Sequence, residues 1–218
     1  MHQYSNIDGW LSLPHDIAIK AAQKQGAGLV DNYQKEQLDD SLRYVKNFRT
    51  AIDIGAHIGI MSYNLSKQFN QVYAYEIQPD VYHCLTENLK SKNVTNVITH
   101  NVGIGSKEEN VDLNFEERKT FSTHVKPNSI GQYRVMPLDA YGLDNVDFIK
   151  IDAEGYEPLI ALGAIETIKK SKPPILFERK QHPERYGYQR DSIIEILKPY
   201  GYKILKEFGR KNALIGCV

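Results

Sequence analysis

Cysteine is scarce, tryptophan is nearly absent, and neither sign of charge is in excess: 218 residues carry two Cys, one Trp, and 27 basic against 27 acidic side chains. Each shortage excludes something. Cys84 and Cys217 make neither a disulfide framework nor a metal cluster, and Cys84 falls in an amphipathic pattern as a buried thiol. A balanced chain lacks the broad positive field that phosphate backbones demand, so nucleic acid is not expected as a partner. No apolar stretch reaches membrane-spanning length, and the N-terminus MHQYSNIDGW has neither a basic n-region nor an apolar h-region. No membrane partner and a cytoplasmic location are the expectations. Internal repeats and low-complexity segments are absent too. What remains is an ordinary globular composition, 41% hydrophobic and 25% charged, at a length that suits one α/β domain with a short extension. Residues 1–30, poor in core formers, read as an N-terminal lid or oligomer arm, which puts a homo-oligomer among the expected assemblies. Residues 31–218 read as the domain proper.

The chain is organised around Thr50 to Ile60, TAIDIGAHIGI. A buried strand that stops at Asp53 and turns through Gly55 and Gly59 into a helix builds a nucleotide-type cofactor loop, because glycine lets backbone and ligand approach closely. Asp53 selects among cofactors. A dinucleotide loop sets pyrophosphate against a helix N-terminus, where a carboxylate would repel it. S-adenosylmethionine carries a sulfonium and an ammonium and no phosphate, so an acid with glycines suits it better. Glu76 closes a second strand, Val72 to Tyr75, near the spacing of about 20 residues at which an acid meets ribose hydroxyls. Taken singly, an incidental glycine turn and a solvated Glu remain open; together the two signals reinforce each other.

The remaining elements follow in order. Ile17, Ala18, Ile19 and Ala21 suggest a short helix ending at Gly26 and Gly28, and Asp31 an N-cap for a helix with Leu38, Leu42 and Val45 on one face. Pro79 opens a helix with the stripe Val81, Leu85, Leu89. Val94 to Val102 is a third strand, after which Asn101, Val102 and Gly103 would flank the adenine. Lys107 to Arg134 breaks the alternation, with a strand at Val111 to Phe115 and a polar excursion, EERKTFSTHVKPNSIGQ, expected outside the core. A fourth strand, Val146 to Ile151, runs into Asp152-Ala-Glu-Gly-Tyr-Glu157 and so points Asp152 into the crevice of Asp53 and Glu76. Leu159, Leu162 and Ile165 predict the inner face of one helix ending at Lys169 and Lys170. Ile175 to Phe177 leads to Glu178 and Arg179, Asp191 caps a helix with Ile194 and Leu197, and Tyr202 to Leu205 and Ala213 to Cys217 close the sheet.

AIDIGAHIGIMS, YAYEIQP, NVGIGS, VMPLDAYGLDNVDFIKIDAEGYEPLIALGA and PILFER, spread over Ala51 to Val218, resemble the FkbM family of S-adenosylmethionine-dependent methyltransferases. The resemblance implies an α/β class I methyltransferase (Rossmann-like) fold: a seven-stranded, mostly parallel sheet with an antiparallel last strand and helices on both faces. It implies O-methylation of a sugar, glycan or small natural product. Asp53, Gly55, Ala56, His57 and Gly59 match the cofactor loop, Glu76 and Ile77 the ribose corner, and Asp152, Glu154, Gly155, Glu157 and Glu178 the later motifs. Two positions depart. His57 stands where asparagine is expected, and Tyr156 stands where family members often have histidine, so a candidate general base is missing there.

Removing a sugar hydroxyl's proton leaves two routes. One is a general base, from Asp152, Glu154, His124 or His182, with Glu178 as the third catalytic acid. The other is a divalent cation, Mg²⁺ held by Asp152 and Glu178 at neighbouring strand ends, unless that pair faces Arg179 instead. Fourteen tyrosines offer aromatic surface for a small-molecule or glycan acceptor. Two other classes stay open: a non-catalytic Rossmann-like binding protein and an NAD-dependent oxidoreductase.

Overall fold

The computed structural model describes residues 4–14, 16, 33–115 and 122–217. Its strands are β1 (Ser5–Ile7), β2 (Trp10–Ser12), β3 (Thr50–Ile54), β4 (Gln71–Tyr75), β5 (Val97–His100), β6 (Gly103–Ile104), β7 (Glu109–Val111), β8 (Leu113–Asn114), β9 (His124–Val125), β10 (Tyr133–Met136), β11 (Val146–Ile151), β12 (Ile175–Glu178), β13 (Tyr202–Phe208) and β14 (Asn212–Cys217). Its helices are α1 (Lys35–Leu42), α2 (Ile60–Ser66), α3 (Pro79–Ser91), α4 (Glu157–Leu162), α5 (Ile165–Ser171) and α6 (Ser192–Leu197). Seven strands form one sheet in the order β13-β14-β12-β11-β3-β4-β5. Pairing is parallel from β5 through β12, and β14 runs antiparallel between β12 and β13. The expected sheet is therefore present, antiparallel last strand included.

Every residue of β3 and β11 is buried, as central strands covered on both faces must be. Alternate residues feed opposite cores. Phe148 packs with Ala51, Leu38 and Leu65 under α1 and α2, whereas Ile149 and Ile151 pack with Ile160, Ile168 and Ile193 under α4 to α6. The chain leaves the central pair in opposite directions, toward β4 from β3 and toward β12 from β11, which opens a crevice at their carboxyl ends. Among the described residues no helix is long and apolar enough to cross a membrane.

The structure differs from expectation in four places. Trp10 is fully buried against Tyr63, and Ile7 and Trp10 share a cluster with Ile58, Ile60, Val81 and Cys84, so the β1–β2 hairpin belongs to the core. Asn88 of α3 pins it, donating to the Leu11 carbonyl at 2.9 Å and accepting the Leu11 N–H at 2.6 Å. The polar excursion is also partly structured. β8 and β9 pair so that Val125 faces Leu113, and both enter the main core. The helix expected through Leu159, Leu162 and Ile165 is two helices, broken at Gly163, whose added Cβ would lie 1.9 Å from the Gly105 carbonyl oxygen. Asp139 caps the second one by accepting from the N–H groups of Glu166 and Thr167, and the buried face turns to Ile160, Ala161 and Ile168 while Leu162 is exposed. Last, Asp191 offers α6 no side-chain cap; its carboxylate binds Arg179 instead. Ile17, Ala18, Ile19, Ala21, Gly26, Gly28 and Asp31 lie outside the described residues, and α1 begins after Gln34.

Candidate active site

A cavity of about 320 Å³ opens at the carboxyl ends of β3, β4 and β11. Gly55, Ala56, His57, Glu76, Ile77, Val102, Gly103, Asp152, Glu154 and Glu178 line it, so most residues picked from the sequence converge there. Gly55 explains how the loop fits. Its φ is +75°, and a Cβ would lie 1.9 Å from the carbonyl oxygen of Asp152, so only glycine lets β3 turn beneath β11.

Glu76 is 5% exposed, and its two oxygens accept the backbone N–H groups of His57 and Gln78, each at 2.9 Å. Burial raises its pKa, while these hydrogen bonds and the nearby His57 and Lys150 oppose the rise. Ile77 packs on Gly103, where an added Cβ would lie 2.7 Å from Ile77 Cδ1. Asn101 sits differently from the expected adenine neighbour. It donates to the Glu76 carbonyl at 2.8 Å and so stitches β4 to β5 from beside the cavity wall.

Asp53 lies beneath the loop, not on the cavity wall. It is fully buried, accepting from Ser62 Oγ at 2.6 Å and lying 3.7 Å from Lys150 Nζ. Lys150 also lies 3.4 Å from Asp152. Sequence reasoning misses this lysine, whose one local signal is being the single cation in the apolar run VDFIKI. Burial works against its charge, but Asp152 and Asp53 outweigh that and raise its pKa. Asp53, in turn, is raised by burial against the pull of Lys150 and Ser62.

His57, the departure in the loop, reaches across to the N-terminal segment: Nε2 lies 3.1 Å from an oxygen of fully buried Asp16. Burial disfavours the charged ring, yet Asp16 more than compensates and holds it above its ordinary value. Tyr156, the other departure, is packed edge-on to Tyr186 with ring centroids 4.9 Å apart, and its hydroxyl donates to Glu109 at 3.4 Å.

On the far side, Glu154 lies 2.8 Å from His182 Nδ1 and 3.5 Å from Lys180 Nζ, and Lys180 also pairs closely with Glu178. Burial and the carboxylates of Asp152 and Glu154 push Glu178 up to about 9, against the pull of Lys180. The pairing anticipated for Arg179 goes elsewhere, to Asp191 and Glu207. His124 lines the cavity at β9 with Nδ1 3.0 Å from the Ser122 carbonyl oxygen.

Glu157 has a structural task. It is 2% exposed and accepts from the N–H groups of Ala153 at 3.1 Å and Gly155 at 3.2 Å, which fixes the turn carrying Glu154. Burial, opposed by these bonds, pushes its carboxyl from 4.5 up to about 7. The native state therefore keeps this proton after the unfolded chain has lost it, so the group lowers stability as pH rises from 4.5 to 7, by at most about 1.4 kcal/mol per pH unit. Urea unfolding across that window should show a flatter decline for Glu157→Gln; an unchanged slope would assign the titration to another group.

Strand order and cavity position together define the class I methyltransferase fold. The chain belongs to the FkbM methyltransferase family, whose domain matches residues 53–204. Among solved structures it is similar to the methyltransferase FkbM from Methylobacillus flagellatus KT, at 21% identity and a TM-score of 0.53 over 77% of this chain. This chain covers 43% of that protein's length. The Streptococcus mutans protein SMU.1697c, solved in complex with SAH, matches at 14% identity and a TM-score of 0.55, covering 84% of this chain and 97% of that one. An rRNA methylase from Streptococcus thermophilus matches at 13% identity and 0.50, covering 83% and 92%. At such identities the likeness is one of fold. No curated protein matches the sequence.

Proposed function

We propose that this chain transfers a methyl group from S-adenosylmethionine to a hydroxyl of a sugar, glycan or small natural product. The observation that carries the reading is Glu76: a carboxylate on the cavity wall at the end of β4, oriented by two backbone N–H groups, with each oxygen keeping a lone pair for a ribose hydroxyl. The residues fit the cofactor. Glu76 and Asp152 flank the glycine turn, which favours a cation and disfavours pyrophosphate, and the tight Gly55 turn leaves backbone for the methionine end.

When bound, this cofactor supplies an electrophilic methyl carbon on a sulfonium. The protein must then hold an oxygen in line with it and take the hydroxyl proton. Asp152 is assigned that proton: it lines the cavity, is a quarter exposed, and is oriented by Lys150 at 3.4 Å. Glu154 and Glu178 line the same cavity, both held by Lys180. The three-donor cluster among the described residues is Glu154, Glu178 and His182 without Asp152, so it lends no support to a Mg²⁺ ion between Asp152 and Glu178.

Radiolabelled methyl transfer decides the class. With tritiated S-adenosylmethionine and panels of sugars, glycans, small polyols and RNA, label should appear on a hydroxyl of the first three groups. Transfer to RNA alone would overturn the acceptor, binding without turnover on every panel would favour a binding protein, and NAD binding in place of S-adenosylhomocysteine would favour an oxidoreductase.

A further inference from the structure

Beside the cavity, at the end of β12, three donors from two segments of the chain meet. Glu154, Glu178 and His182 each direct one ligand-type atom so that all lie within 4.8 Å of one another. The cluster is not a solvated acidic patch. The side chains of Glu154 and Glu178 are 8% and 10% exposed, and both carboxylates have a division of labour between their oxygens. Oε1 of each faces the Lys180 ammonium, while Oε2 of each faces His182 Nδ1, at 2.8 Å from Glu154 and 3.9 Å from Glu178.

Two of these atoms supply a second, independent observation. Glu178 Oε2 and His182 Nδ1 are buried and make no hydrogen bond among the described residues. Nδ1 is close enough to Glu154 to touch it, yet lies off the axis a hydrogen bond needs. Buried polar atoms without partners are costly, so such a pair calls for an occupant. The spacing suits a metal. Donors bound at roughly 2.1 Å to one ion lie roughly 3 Å apart at right angles and at most roughly 4.2 Å apart, and both separations from His182 Nδ1 fall within that reach.

The geometry points to a divalent first-row transition-metal site formed by Glu154 Oε2, Glu178 Oε2 and His182 Nδ1. An imidazole with two carboxylates suits Mn²⁺, Fe²⁺ or Zn²⁺ better than an all-oxygen ion such as Mg²⁺. Lys180 is the supporting cation, holding both carboxylates by their outer oxygens while the inner ones face the ion. Three protein donors leave coordination positions open, and because Glu154 and Glu178 line the cavity those positions are within reach of an acceptor. There the ion would hold an acceptor through an oxygen and make its hydroxyl more acidic, a use that rests on the methyl-transfer reading, whereas the site itself does not.

The test is metal binding to the whole chain stripped by chelation, with Mn²⁺ as the probe. Free Mn²⁺ is followed by electron paramagnetic resonance and stability by thermal melting, without cofactor. One Mn²⁺ per chain should bind, weakened at least tenfold in His182→Ala and in Glu178→Gln, with Zn²⁺ competing and millimolar Mg²⁺ not. Glu195→Gln, which alters an exposed pair with Lys198, should bind like the unmodified chain. S-adenosylhomocysteine titrations on the same variants show that they are folded and separate the two proposals, since loss of nucleoside binding in the unmodified chain would sink only the methyl-transfer reading. Absence of stoichiometric Mn²⁺ binding, or binding unchanged by both substitutions, overturns the metal site.

Discussion

Glu76→Ala should reduce affinity for S-adenosylhomocysteine by at least ~100-fold while leaving a folded protein. The carboxylate has two tasks, and the substitution removes both. Its oxygens accept the N–H groups of His57 and Gln78 at 2.9 Å, which shapes the loop before any ligand arrives. It is also the acceptor placed for the ribose hydroxyls, and hydrogen bonds to a charged group contribute about 1.5–3 kcal/mol each, so losing two corresponds to two or more orders of magnitude. Glu76→Gln keeps one acceptor oxygen and should fall between. Calorimetric titration of the three proteins checks this, and an affinity for Glu76→Ala within about threefold of the unmodified chain would remove Glu76 from the site.

Lys150→Met should be the most destabilising single change near the cavity, by about 3–5 kcal/mol, because removing one partner of a buried ion pair strands the other charge. Asp53 has no exposed surface and, among the described residues, keeps only its Ser62 hydrogen bond once the ammonium 3.7 Å away is gone. The sign of the pH dependence follows. With its pKa raised further above the unfolded value near 3.8, Asp53 would hold a proton in the folded variant, so the defect should be small near pH 4 and grow as pH rises. Asp53→Asn added to Lys150→Met should recover part of the loss at pH 7. Urea unfolding of the two variants at several pH values tests this. Equal stability of Lys150→Met and the unmodified chain at pH 7 would mean that Lys150 does not balance Asp53.

The residues that sequence alone revealed are those whose signal is local. Gly55 and Gly59 mark a turn by composition, Glu76 by its distance from Asp53, and DFIKIDAEGYE by a pattern specific to one family. What was hidden depends on approach from far along the chain. The loop marks Asp53 as a ligand contact, but burial against Ser62 and Lys150 sets it one layer deeper. Lys150 occupies one polar position in an apolar strand, and nothing local shows that two acids face it. His57 depends on Asp16, which is separated from it by the whole first strand of the sheet and lies 3.1 Å away. Val125 sits in a polar stretch and is buried through a two-residue pairing with β8, too short for any periodicity to announce. The break at Gly163 hid likewise, because its cause is the Gly105 backbone lying against it.

A crystal structure with S-adenosylhomocysteine bound tests the central claim most directly. The account predicts the nucleoside in the cavity at the ends of β3 and β4, with the ribose hydroxyls on Glu76, the base against the surface that Ile77 and the Val102–Gly103 segment form together, and the sulfur toward Asp152. Density elsewhere on the chain, or a ribose in that cavity turned away from Glu76, would contradict it.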